Sequence, residues 1–425
     1  MQLGRPSHPP IYQETVGKPL AACIMASWDP VANADHCKWT GVVCGGGRAQ
    51  AVTGISLSGQ NITGKVPEPL CDLPSLSRLD LSYNNLTGGF PRGPLYNCSQ
   101  LRFLDLSNNA FHGVLPHDIS RLSPAMEHLN LSANYFGGTM PAALAGLPAL
   151  RSLLLDTNQF TGAYPAAEIS KLTRLEQLTL AWNPFAPAPA PPEFAKLTNL
   201  SYLWMSNMNM TGEIPKAYSN LANLQLIAIT GNNLTGEIPA WVFQHPKLES
   251  VYLFANGLTG ELPRKITAGN IIELDVSSNQ LTGEVPKDIG NLKNLSILFM
   301  YTNQLSGAIP ASIAMLPNLR DIRLFENKLS GELPAMLWSL PKLNNLNIQN
   351  NGFTGALPTK IPENIQWLDV GNNKFSGSLP TSATGLLVFR AANNLLSGEL
   401  PADMSKFAKL TRLVLSGNQL AGAIP

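Results

Sequence analysis

The chain has 425 residues, a formal net charge of +1 and only 13% charged residues, with no run of Lys or Arg longer than two. That balance excludes the basic footprint of a nucleic-acid or acidic-membrane binder. No stretch approaches the ~18 uninterrupted apolar residues that a membrane helix needs, and the opening "MQLGRPSHPPIYQETVGKPL" lacks the apolar core of a secretory signal.

Residues 1–26 match nothing that follows and are expected to be disordered; they contain Cys23. All five cysteines lie in the first quarter, at 23, 37, 44, 71 and 98. Two disulfides, Cys37 with Cys44 and Cys71 with Cys98, fit the spacing and leave Cys23 over. A metal site is the rival reading, although no CxxC or histidine cluster accompanies these residues. Disulfides would place the chain in an oxidising compartment. Residues 27–50 then form an N-terminal cap, and 51–425 a repeat region that stops at "AGAIP" in mid-coil, without the polar terminal cap a solenoid needs.

The repeat is explicit. "LDLSYNNLTGGFP" from Leu79, "VYLFANGLTGELP" from Val251, "LDVSSNQLTGEVP" from Leu274 and "LVLSGNQLAGAIP" from Leu413 share the template L-x-L-x-x-N-x-L-x-G-x-[IL]-P. It recurs every 21–25 residues in about sixteen copies. The pattern predicts an α/β solenoid whose coils each contribute a short strand to a parallel, concave sheet and an irregular or 3₁₀ return. Inward leucines would stack into one continuous core. The Asn column, from Asn84 to Asn418, would satisfy backbone groups of neighbouring coils, with Gln60 and Met208 as its two departures. The proline-rich "WNPFAPAPAPPEF" from Trp182 resembles a linker, yet Leu178 and Leu203 stand 25 residues apart, one coil. It is expected to be a return loop inside the register.

With "SWDPVANADHCKWTGVVC" ahead of these repeats, the chain resembles the plant extracellular leucine-rich-repeat receptor-like kinases. Ser27, Trp28, Cys37, Trp39, Gly41, Val42 and Cys44 match their N-terminal cap. The cysteine pair 71 and 98 and the broken coil near residue 190 look most like the HAESA-like peptide-hormone receptors. The resemblance implies an extracellular recognition domain at the plasma membrane, a secreted peptide ligand, and a shorter leucine-rich-repeat co-receptor kinase as partner, with no cofactor or metal. The alternative is a secreted or kinase-less leucine-rich-repeat protein of defence, such as a polygalacturonase inhibitor.

Outward-facing strand positions are small or polar early, at Ser56, Asp80, Asp105 and Asn130. From the sixth coil they include Trp182, Tyr202, Trp204, Tyr252, Phe254, Phe299, Tyr301, Phe325 and Trp367, with Asp156, Glu273, Asp275, Arg323, Asp369 and Arg390 among them. Strand propensity alone favours aromatics, but their concentration in later coils points to a ligand groove. Nine coils at ~4.8 Å give a track of about 38 Å, room for roughly twelve extended residues. The Arg-x-Arg pair that holds a peptide carboxylate in the HAESA-like receptors is incomplete here: Val388 precedes Arg390, Asp321 precedes Arg323, and Val414 follows Arg412.

Glycosylation sequons fall at Asn61, Asn85, Asn97, Asn130, Asn199, Asn209, Asn233 and Asn294. The glutamates of "GE[IVL]P" belong to the repeat, and the six histidines form no HxxxH or HExxH pair. No nucleophile, metal site or phosphate loop emerges, so the chain reads as a binder and not as an enzyme.

Overall fold

The computed structural model describes residues 28, 31, 34–45 and 51–424. The expectations for residues 1–26 and Cys23 lie outside them. The repeat folds as a solenoid. A 17-stranded sheet lines one face; its first strand, Val42–Cys44, is antiparallel to Val52–Ser56, and the strands from Val52–Ser56 to Arg412–Val414 pair in parallel. Each concave strand after the first two is three residues long, because one central inward leucine, such as Leu79, Leu104 or Leu129, is all a coil contributes at that level. These residues are fully buried, and with the aliphatic and phenyl column that includes Leu86, Phe111, Phe136, Phe160 and Phe353 they form one uninterrupted core. No coil could bury those side chains alone, so stability comes from stacking.

The Asn column acts as expected. Asn109 Nδ2 donates to Leu81 O of the preceding coil at 2.9 Å and to Leu106 O and Ser107 O of its own, while Oδ1 accepts from Leu86 N at 3.0 Å. This geometry requires a sharp turn. The residue before the asparagine takes a left-handed conformation, φ 53° at Tyr83, 54° at Asn108, 52° at Ala133 and 57° at Trp182. Such a conformation disfavours an L side chain by roughly 1–2 kcal/mol, which the amide's four bonds offset. In many coils the proline that ends the template then stands before a 3₁₀ turn, as Pro215 does before Lys216–Asn220 and Pro286 before Lys287–Asn291. Its fixed φ starts the return and sacrifices no helical N–H.

Both expected disulfides form. Cys37–Cys44 closes the cap with an S–S distance of 2.02 Å, and Cys71–Cys98 ties the 3₁₀ turn Glu68–Asp72 to the segment after helix Arg92–Tyr96. His36 stands beside the first pair, but sulfurs bonded to each other are not thiolate ligands, so the metal reading falls. Trp28 stacks on Trp39 at 5.5 Å and donates from Nε1 to Thr40 O at 3.0 Å. Gly41, at φ 79°, lies so close to Ser56 O that a Cβ there would sit 2.3 Å from it, so only glycine fits this junction.

The concave sheet passes the proline-rich segment without interruption: Gln177–Thr179 pairs in register with Tyr202–Trp204. The second, lateral sheet does break. One five-stranded piece ends at Gln159–Thr161, and the next begins at Ala188–Pro189, which pairs with Met210 and Thr211. Two buried tyrosines fasten the segment from either side, Tyr164 Oη donating to Pro189 O at 2.7 Å and Tyr218 Oη to Pro191 O at 3.1 Å. The ladder changes here as well. Met208 is fully buried in the Asn position, Phe185 N turns to Asn183 O, and Asn209, one residue on, donates to Phe185 O at 2.9 Å.

Candidate functional site

The concave surface presents three files of side chains. The first residue of each strand, the third residue, and the second residue after it all point away from the core, and parallel pairing aligns each file across coils. The predicted aromatics therefore zigzag between files. Tyr202 and Trp367 belong to the first, Trp204, Tyr252 and Phe299 to the second, and Phe254, Tyr301 and Phe325 to the third. Trp182 belongs to none of them. It occupies the left-handed turn residue, and its indole is 39% exposed.

One group is drawn together. Tyr301 stacks face to face on Phe325, with centroids 4.4 Å apart and planes at 7°, and Phe299 tilts against Tyr301 at 6.1 Å. The Arg323 guanidinium lies 4.5 Å from the Phe299 centroid. The same guanidinium is forked onto Asp321, with Nε to Oδ1 at 3.1 Å and Nη2 to Oδ2 at 2.9 Å. Its charge is met within its own strand while its face serves the ring. All three rings stay half-buried, so the cluster presents an apolar platform edged by a neutralised cation.

A second group lies two coils further along. Arg390 reaches Asp369 Oδ2 through Nη1 at 3.4 Å and sits 5.2 Å from the Trp367 ring, while its Nε is buried without a partner. Asp369 was expected at the surface with the groove residues; it is instead 1% exposed, covered by Arg390 and accepting from Gly371 N. Its outward direction did not make it accessible, because the neighbouring coil's longer side chain closes over it. Burial pushes its carboxyl up, and Arg390 and Arg412 only partly oppose that. Asp275 is buried as well, against its own turn. It accepts from Ser277 N and Oγ and is 8% exposed, and desolvation raises it to about 6. Tyr252 bonds Glu273 of the next coil, which with burial lifts its phenol well above the usual range.

Trp182, Tyr202, Trp204 and Phe254 are not drawn into these clusters. Leu226 and Ala228 occupy the first two files between Trp204 and Tyr252, so the aromatic track has a plain aliphatic step in it.

The early coils overturn one expectation. They are not free of rings: Arg78, Phe103 and His128 stand in register in the first file, with the guanidinium 3.5 Å from the Phe103 centroid and the imidazole stacked at 4.2 Å and 4°. The signal was legible in the residue preceding each inward leucine, which was not read for these strands. Asp80 and Asp105, in the second file, accept from Ser82 N and Ser107 N. Asn130, a sequon residue, has its amide engaged on both sides, donating to Asp105 Oδ2 and accepting from Ser132 N.

Models of the leucine rich repeat match residues 50–111, 99–160, 270–292 and 364–386. The crystal structure of a TDR receptor superposes with a TM-score of 0.83 at 34% identity, covering 88% of this chain and 65% of that one. The Arabidopsis receptor kinase HAESA, solved in complex with the peptide hormone IDA and the co-receptor SERK1, superposes with a TM-score of 0.64 at 28% identity, covering 95% and 84%. The likeness to TDR is the greater by both measures. The LRR receptor-like serine/threonine-protein kinase GSO2 of Arabidopsis thaliana is 33% identical over 76 residues, 18% of this chain and 6% of that kinase. The curated receptor-kinase relatives are thus matched over less than a tenth of their length. Among the described residues no helix is long and apolar enough to cross a membrane.

Proposed function

We propose that this chain, which belongs to the leucine-rich-repeat ectodomains of plant receptor kinases, binds a secreted peptide in extended form along the concave sheet from Trp182 to Arg390. The observation that carries the reading is the Phe299, Tyr301 and Phe325 cluster with Arg323 against it. A half-buried stack at the middle of a concave face has no structural duty in the core, and its large rings lose little entropy when a ligand covers them. Trp204 and Tyr252 serve the near part of the track, and Trp367 with Arg390 the far part. The Arg390 side chain, 29% exposed and bonded to Asp369 through Nη1 alone, is the cation placed to meet a peptide carbonyl or carboxylate. Arg323 is not, since Asp321 holds its fork.

The structure solved for HAESA includes both a peptide hormone and a co-receptor. By that analogy, this ectodomain pairs with a shorter leucine-rich-repeat co-receptor kinase once the peptide is seated, at the extracellular face of the plasma membrane. The test is calorimetry of the secreted chain against a panel of plant peptide hormones, repeated with a co-receptor ectodomain present. One peptide should bind, and the co-receptor should raise its apparent affinity. If no peptide binds, or if Phe325→Ala leaves the affinity unchanged, the groove reading is wrong.

A further inference from the structure

Six coils carry an asparagine three residues before the first residue of the concave strand, on the flank of the solenoid. Five of them spend the amide on the preceding coils: Asn199 on Thr173 O, Asn223 on Thr198 O, Asn270 on Pro246 O, Asn318 on Lys293 O, and Asn364 on Leu340 O and Leu343 O. Asn294 is the exception. Among the described residues its exposed side chain makes no hydrogen bond, and it opens the sequon Asn294-Leu295-Ser296. It also stands at the rim of a cleft of about 830 Å³, which runs across the leading ends of strands Ile297–Phe299, Asp321–Arg323 and Asn345–Asn347.

The cleft's chemistry is that of a sugar site. Its walls carry the amides of Asn318, Asn344 and Asn345, and the cations of Arg320 and Lys342. Lys342 is committed to Asn318 Oδ1 at 2.7 Å, but the Arg320 guanidinium has no partner among the described residues, and Asn345 Oδ1 is buried with its lone pairs unmet. A free fork of N–H donors in a cleft lined by side-chain amides suits hydroxyl and acetamido groups, which both give and take hydrogen bonds. Ile272, 39% exposed at the cleft's edge, offers the apolar surface on which the C–H face of a pyranose lies.

We infer that the N-linked glycan of Asn294 is seated in this cleft, its first sugars held by Arg320, Asn344 and Asn345, so that it walls the leading edge of the groove beside the Phe299 cluster. The inference rests on the proposed extracellular reading only in requiring passage through the secretory pathway. The occupant is fixed by attachment: a sugar tethered at the rim is present at high local concentration, and weak contacts suffice to order it.

The test uses the full chain secreted from insect cells behind a supplied leader, with glycopeptide mass spectrometry at each sequon and timed enzymatic deglycosylation of the folded protein. Asn294 should be occupied and its glycan released at least tenfold more slowly than those on Asn85 and Asn233, which lie outside the cleft. Arg320→Ala combined with Asn344→Ala should bring the Asn294 rate to that of Asn85 without altering the other two. Sugar on Asn85 or Asn233 with Asn294 bare overturns the inference and leaves the secretory reading standing. Release from Asn294 as fast as from Asn85, or unaffected by the double variant, also overturns it. A chain secreted with no sugar at any sequon would remove both.

Discussion

The early and late thirds of the concave sheet are built on the same backbone, yet they use aromatic rings differently. In the early coils Arg78, Phe103 and His128 follow one file and stack on one another in a closed series, flanked by Asp80, Asp105 and Asn130, whose oxygens accept from their own turns. In the later coils the rings cross files. Phe299, Tyr301 and Phe325 make a platform wider than one file, and of the carboxylates near them Asp275 is buried against its own turn at Ser277 while Asp369 is covered by Arg390 of the next coil. Tyr301 and Phe325 stack within one file as Phe103 and His128 do, but Phe299 extends their cluster into a second file, so the late sector presents the broader ring surface.

Four experiments sharpen or break this contrast. The largest effect concerns Asp275. Its folded pKa of about 6 lies above the ordinary carboxylate value, so the folded state holds its proton more tightly than the unfolded chain does. The resulting penalty is absent below about pH 4, grows between about pH 4 and 6, and is complete above that, amounting to roughly 3 kcal/mol. Asp275→Asn should therefore gain stability over the parent by about that amount at pH 7 and by almost nothing at pH 4, read by denaturant titration at both pH values. An equal gap at both would show that ionisation of Asp275 is not the cause. Next, Phe325→Ala should weaken peptide binding by about 2 kcal/mol, since it opens the Tyr301 stack. Trp204→Ala and Tyr252→Ala, outside the stack, should each cost more than about 1 kcal/mol in the same assay. The smallest effect belongs to the early sector. Phe103→Ala should lower stability by about 1 kcal/mol through the lost stack and leave peptide affinity unchanged; a loss of affinity would erase the distinction between the two sectors.

The solenoid, its register and its disulfides were legible because each depends on spacing along the chain, and a 21–25-residue period fixes which residues face inward. The position of the proline-rich loop within one coil was legible for the same reason. What the period cannot show is a partner one coil away. Asp369 meets Arg390, and Tyr252 meets Glu273, at a separation of 21 residues in each case. Such pairs decide whether an outward carboxylate is exposed or covered, and a strand read by itself gives no sign of them. The Phe103 and His128 stack escaped for a related reason: only the residue following each early inward leucine was read as outward, and the stack is built from the residue preceding it.

The altered ladder at Met208 has a mechanical consequence. Coils joined in a row act as links in series, and a pull along the superhelix loads every junction equally. A standard junction is crossed by an amide that gives one bond to the preceding coil and takes another from it, as Asn183 does with Leu155 O and Phe160 N. Met208 does neither, and Asn209 restores a single bond. Tyr218 adds its own to the proline-rich segment, on the far side of the core from the groove. This junction is thus held by fewer ladder bonds than its neighbours, with the tyrosine bracing its back, and it is where a pull along the superhelix is expected to open first.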